Sequence, residues 1–332
     1  MKRVWSALLA LVMALSLAAC GGTSTEDTGT GADEGSPVVI RVGMTASDTS
    51  NYMEGLKVFE QKLEEYSDGF YDVQIFPSGQ LGNERDLVEN VALGNVEACV
   101  TASGLTNLSA NFMAFDFPYL ISDKEAAFEV MDGEIGQELM SELEPKGIVG
   151  LGFWDNGFRH ITSNKEIKTP EDIQGFKLRV MENQVHMTAF EEVGANPVPM
   201  AIGEVYAAMQ QGTIDGHENA LIHIYTNKFY EVQKYITLTG HFYSPAFFLI
   251  SRTFFENQPE EMQEAIRMAE AEARTVERDF TTQADEELVQ TLRDAGNIVN
   301  EVDRAVWKAA FENTCQDLRA QVDSKYLDAL AN

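Results

Sequence analysis

Across residues 260–292 the chain places apolar side chains at Met262, Ile266, Ala269, Ala273, Val276, Phe280, Ala284, Leu288 and Leu292, with no glycine or proline to interrupt them. Recurrence every three or four positions marks one face of a helix. At 1.5 Å per residue such a helix reaches roughly 45–50 Å, longer than one compact domain needs, so it is expected to run along more than one. Two shorter helices meeting near Thr281-Thr282 are the alternative, because so long a pattern without internal caps is unusual in globular folds.

The segment before it alternates between two periods. Residues 38–42 read as a strand, Leu56, Phe59 and Leu63 as a helical face, and residues 71–76 as a second strand that Pro77-Ser78-Gly79 ends. Leu87, Val91 and Leu93 mark another helix, and residues 98–101 a third strand. This βαβαβ rhythm predicts an α/β fold with a largely parallel sheet. Helix starts are expected at Ser122-Asp123-Lys124-Glu125 and Thr169-Pro170-Glu171-Asp172, where a capping side chain precedes an acid by three positions. Further strands at 147–154, 158–162, 176–181, 235–239 and 246–250 are enough for a second sheet.

The first residues are an address. Met1-Lys2-Arg3 is positive, residues 4–17 are almost unbroken apolar sequence, and small residues lead to Cys20, the organisation of an export signal and not of a membrane span. Leu17-Ala18-Ala19-Cys20 resembles the lipobox of bacterial lipoproteins, which makes residues 1–19 a signal peptide and Cys20 the acylated first residue of the mature chain. Residues 21–36 are Gly, Thr, Ser, Asp and Glu without an apolar cluster, so 20–36 is read as a lipidated cysteine and flexible linker. The expected location is extracytoplasmic, with membrane contact through the lipid anchor only. In an exported compartment Cys99 and Cys315 are either a disulfide or two buried thiols.

Acidic residues outnumber basic ones by 53 to 24, a formal charge of −29 that becomes −31 once Lys2 and Arg3 are cleaved away. Attraction to nucleic acid is excluded on that ground, and anionic membrane surfaces are disfavoured. Enzyme templates fit poorly. The sequence has no phosphate-binding glycine loop, no Gly-x-Ser-x-Gly, no His-Glu-x-x-His and no Cys-x-x-Cys. His217 and His223 flank Glu218, yet that spacing matches no familiar zinc pattern. No catalytic residue, cofactor or metal is expected.

Arginine stands out in a chain short of positive charge. Gly157-Phe158-Arg159 and Lys177-Leu178-Arg179 each set an arginine in an apolar strand. A buried guanidinium requires an anionic or multiply accepting partner, and its fork matches a carboxylate at two points. Either an internal acid or a ligand supplies that partner.

Several ordered motifs bring in a family. Phe76-Pro77-Ser78-Gly79-Gln80-Leu81-Gly82, Gly157-Phe158-Arg159, Gln174-Gly175-Phe176-Lys177-Leu178-Arg179-Val180, Asn196-Pro197-Val198-Pro199-Met200 and Asp215-Gly216-His217-Glu218-Asn219 together resemble the substrate-binding subunits of tripartite ATP-independent periplasmic (TRAP) transporters, of the C4-dicarboxylate-binding type. The resemblance covers essentially the whole mature chain. It implies a two-lobed periplasmic-binding-protein-like α/β fold, with a mixed sheet in each lobe and a long helix across both. Lobe I would comprise 37–156 with about 245–284, and lobe II 157–244 with about 285–332. By the same resemblance Arg179 grips a ligand carboxylate, Arg159 supports it and Asn219 joins them. His217 and Ala220 stand where the family usually has glutamine and proline, which puts the course of the following loop in doubt. Gln80, Glu84 and Glu182 are further polar candidates, and Phe242 and Tyr243 candidate walls of the pocket. With Trp154 those two aromatics would favour an aromatic acid, whereas the polar candidates favour a hydroxylated or dicarboxylic one.

The function implied is a monomeric receptor that delivers a small organic acid to the membrane subunits of a TRAP transporter. A sensing receptor for the same ligand is one alternative, and an exported carboxylate-dependent hydrolase or lyase another.

Overall fold

The computed structural model describes residues 37–331, so the expected signal peptide, Cys20 and linker lie outside the described residues. Ten strands form one sheet path: β1 (Val38–Met44), β2 (Tyr71–Phe76), β3 (Ala98–Thr101), β4 (Ile148–Ser163), β5 (Lys177–Val180), β6 (Asn196–Pro199), β7 (Gly216–Ala220), β8 (Tyr235–Leu238), β9 (Tyr243–Ser251) and β10 (Ile298–Glu301). Their spatial order is β2-β1-β3-β9-β4-β7-β5-β6, with β8 on β4 and β10 on β8. The βαβ crossovers through α1 (Asn51–Tyr66) and α2 (Glu84–Ala92) make β1, β2 and β3 parallel, as the rhythm requires. The sheet as a whole is mixed, because β9 runs antiparallel to both β3 and β4. A largely parallel sheet therefore describes its first three strands and overstates the rest.

The strands expected at 147–154 and 158–162 are one sixteen-residue strand. Register shifts at Gly150/Gly152 and Asp155/Gly157 absorb the irregularity that reads as a break, and Gly157 takes φ +100°, a conformation open to glycine. Through these shifts β4 pairs with β9 as far as Phe158 and with β7 from Arg159 onward. The start at Thr169 yields a single 3₁₀ turn, Pro170–Ile173, because β5 begins four residues later. At the other start Asp123 is the cap, accepting from the amides of Glu125 and Ala126 to open α3 (Lys124–Asp132).

The long helix, Glu260–Asp294, is continuous through Thr281-Thr282. Its thirty-five residues correspond to roughly 52 Å. One face lies along α1 and β4. At Gly55 a Cβ would come within 2.6 Å of the Trp154 ring and 2.8 Å of Glu277 Cβ, so glycine permits the close approach of α1 to both. The polar residues on that buried face are bonded. Glu277 accepts from Asp155 N–H at 2.8 Å and Asn51 Nδ2 at 2.7 Å, and Trp154 Nε1 donates to Glu270 at 3.0 Å. Cys99 and Cys315 are both buried and free, each an apolar filler of the core.

Candidate functional site

A small cleft opens where β1, α1 and α2 meet the far ends of β4, β5 and β7. Thr45, Ala46, Tyr52, Glu84 and Ala102 line it from the N-terminal part of the chain. Asn156, Arg159, Arg179, Met181, Ile202, Asn219, His223 and Asn227 close it from the other side. Adjacent parallel and antiparallel strands thus deliver both arginines to one place: Arg159 lies on β4 beside β7, and Arg179 on β5, which pairs β7 from its opposite edge.

The two guanidinium groups have different fates. Arg159, 1% exposed, donates through Nε and Nη2 to the Glu218 carboxylate at 2.5 and 2.8 Å, and through Nη2 again to the Glu218 carbonyl at 2.9 Å. Burial alone would raise the Glu218 carboxyl, but this fork, with His241 Nε2 at 3.3 Å, holds it well below the usual carboxylate range. Its internal acid is found.

Arg179 has none. It is 2% exposed, and its Nε and Nη2 both donate to the Met200 carbonyl, at 2.9 and 2.5 Å. Its Nη1 is buried without a hydrogen-bond partner, and among the described residues no carboxylate lies within 4.0 Å of the group. Burial pulls its pKa down to about 10, with the more distant Glu218 opposing and Arg159 assisting. A buried guanidinium with one free donor lacks the acceptor that its charge and geometry call for.

Of the other residues singled out from sequence, Glu84 and Asn219 reach the cavity. Glu84 is fixed by the Ala102 amide at 3.0 Å and the Ser103 hydroxyl at 2.6 Å, while Asn219 Oδ1 accepts from the Ala220 amide at 3.0 Å. Gln80 and Glu182 are exposed and off the cavity wall. Phe242 is in the core, stacked at 4.0 Å on His186, and the buried Tyr243 donates to Asp155 at 3.1 Å. Neither lines the cavity, and nor does Trp154. Sequence reasoning missed Tyr52 and Asn156, and considered His223 only as a zinc candidate. Asn156 Oδ1 meets Tyr52 Oη at 2.6 Å and His223 Nε2 at 2.7 Å, leaving its Nδ2 buried without a partner. Its place one residue before Gly157-Phe158-Arg159 was the available signal.

Among the described residues no group of three His, Cys, Asp or Glu side chains could hold a metal ion. All five histidines are buried. Burial pushes His160 and His223 down to about 3 and His241 to about 4, so they are neutral in the fold. Because the unfolded chain protonates near 6.5, their contribution to stability is present above that pH. It is lost as pH falls, about 2 kcal/mol per histidine by pH 5. Burial raises Glu270 to about 7, Glu277 to about 8 and Asp285 to about 6, and their contribution has the opposite sign. It is complete below their unfolded pKa and lost as pH rises through 6–8. Burial lowers His217 as well, so four histidines lose stability between pH 6.5 and 4.5 against three carboxylates that gain it, and Tm is expected to decline through that range and more steeply below pH 4.5. Scanning calorimetry in a pH series checks this, and a Tm that holds or rises from pH 6.5 to 4.5 would show the histidines to be protonated in the fold.

Known proteins share this fold. The family model for bacterial extracellular solute-binding proteins, family 7 (DctP), matches residues 42–321. A solute-binding protein of Verminephrobacter eiseniae is 38% identical over 275 residues, covering 82% of each chain. The sugar acid binding protein of Advenella mimigardefordensis, solved with galactonate, superposes with TM-score 0.86 at 33% identity, over 89% of this chain and 98% of that one. A TRAP periplasmic solute-binding protein of Sulfurospirillum deleyianum, solved with succinate, gives TM-score 0.83 at 32% identity, over 88% and 97%. These matches agree with the two-lobed mixed α/β architecture and with the role of a solute-binding receptor. The chain belongs to the DctP family of TRAP solute-binding proteins, and is a receptor and not an enzyme.

Proposed function

We propose that this receptor closes on a small organic acid anion and hands it to the membrane subunits of a TRAP transporter. Arg179 grips the carboxylate, with Arg159 and Asn219 beside it and Glu84 on the facing wall. The unpartnered Nη1 of Arg179 is the observation that carries this reading, because a ligand carboxylate is the group that would complete it. The relatives solved with galactonate and succinate support the ligand class. Gln80, Glu182, Phe242 and Tyr243 are left out of the proposed contact set.

Lobe I then comprises 37–156 with about 245–284, and lobe II 157–244 with about 285–332. The change of β4 partners between Phe158 and Arg159 supports a division there. The mature chain works as a monomer, anchored by lipid at Cys20 outside the cytoplasm.

Titration calorimetry on protein stripped of carried ligand by unfolding and refolding tests the proposal. Organic acids are expected to bind and raise Tm without product formation, and neutral sugars and metal ions to do neither. Binding of a neutral sugar alone would overturn it. In the native host the protein is expected in the membrane fraction, with Cys20→Ser released from it at unchanged affinity.

A further inference from the structure

We infer that the cavity selects hydroxylated monocarboxylates over dicarboxylates, Arg179 taking the one carboxylate while Glu84 and Asn156 engage hydroxyl groups farther along the ligand. The inference rests on the receptor reading above and specifies its ligand.

Charge decides the first half. Of the two guanidinium groups on the wall, Arg159 is already matched by Glu218. Arg179 is the one cation lining the cavity without a carboxylate partner among the described residues, and Glu84 adds a carboxylate on the facing wall. One ligand carboxylate pairs with Arg179. A second would enter a space whose remaining charge is that of Glu84, with no further cation to receive it. Like charges placed together in a partly desolvated site oppose binding strongly.

Hydrogen-bond capacity decides the second half. Glu84 accepts from the Ala102 amide and the Ser103 hydroxyl. An ionised carboxylate has about four acceptor sites and never donates, so the capacity it has left suits a donor. Asn156 has the opposite need. With Oδ1 engaged by Tyr52 and His223, its buried Nδ2 lacks an acceptor. A hydroxyl group donates and accepts, and so satisfies both residues. A ligand carboxylate could serve Asn156 and has nothing to offer Glu84. A site whose buried polar groups expect a hydroxyl rejects analogues that lack one, because those groups are left unpaired.

Calorimetry with D-erythronate, galactonate and succinate on the stripped mature chain tests this. The better of the two hydroxylated acids is expected to bind at least about 100-fold more tightly than succinate. Glu84→Gln should shrink that ratio at least tenfold, and Asn156→Leu should weaken the hydroxylated acid at least tenfold. Each ratio is measured on one folded variant, so partial loss of folded protein does not imitate the result. Succinate binding as tightly as both hydroxylated acids, or a ratio that Glu84→Gln leaves unchanged, overturns the inference while the receptor reading stands. If no organic acid binds the wild-type chain, the receptor reading itself fails.

Discussion

Replacing Arg179 with alanine is expected to lower affinity for the acid roughly 30- to 4,000-fold, the 2–5 kcal/mol typical of truncating one member of a desolvated, hydrogen-bonded charge pair. Tm of the ligand-free protein should stay the same or rise. The second expectation follows from the first observation about this residue: with no internal carboxylate to satisfy, its removal takes an uncompensated charge out of the interior. Arg179→Lys should lose most of the affinity as well, since an ammonium cannot keep two bonds to the Met200 carbonyl and aim a third donor at the ligand. Calorimetry and a thermal scan on the same variant give both quantities. Unchanged affinity with a markedly lower ligand-free Tm would make Arg179 a structural residue and sink the proposed site.

Glu218→Gln should instead strike the fold. It leaves Arg159, at 1% exposure, as an unpaired buried cation, and breaking such a pair from one side costs about 3–5 kcal/mol. For a chain of this size that is a fall in Tm of roughly 5–8 °C. Arg159→Met combined with Glu218→Leu should recover much of the loss, because the pair taken out together leaves no charge behind. Loss of affinity in that double variant, with Tm recovered, would assign the pair a role in holding the site. A single variant as stable as wild type would mean that water or another group reaches Arg159, contrary to its burial.

What could be read in the sequence divides along physical lines. The long helix was legible because its packing face is mostly apolar, a period that shows even though Glu270, Glu277 and Thr281 share that face and Val276 and Phe280 fall outside it. Strand β7 was not. Its residues, Gly-His-Glu-Asn-Ala, are all buried, yet three are polar. Glu218 is satisfied by Arg159, and His217 Nδ1 meets the Thr162 hydroxyl, partners that only the folded chain brings together. Strand β6 went unread because it contains two prolines, which an edge strand tolerates and a pattern search penalises. In the site, Arg159, Arg179, Glu84 and Asn219 were singled out and meet at one cavity. Tyr52 and Asn156 were not, since their significance arises from contact among α1, β4 and the short helix Leu221–Thr226. Phe242 read as a pocket wall, and instead its stacking on His186 places it behind the site.

The unmatched charge of Arg179 also bears on transport economy. Burial draws that group down to about 10, so a conformation that keeps it from water without an anion beside it is disfavoured. Admitting water to the group removes the penalty, and so does a bound carboxylate. Under the proposed receptor role an unloaded chain is thereby biased towards conformations that wet Arg179, and a docking partner that reads the dry form would meet mostly loaded carriers.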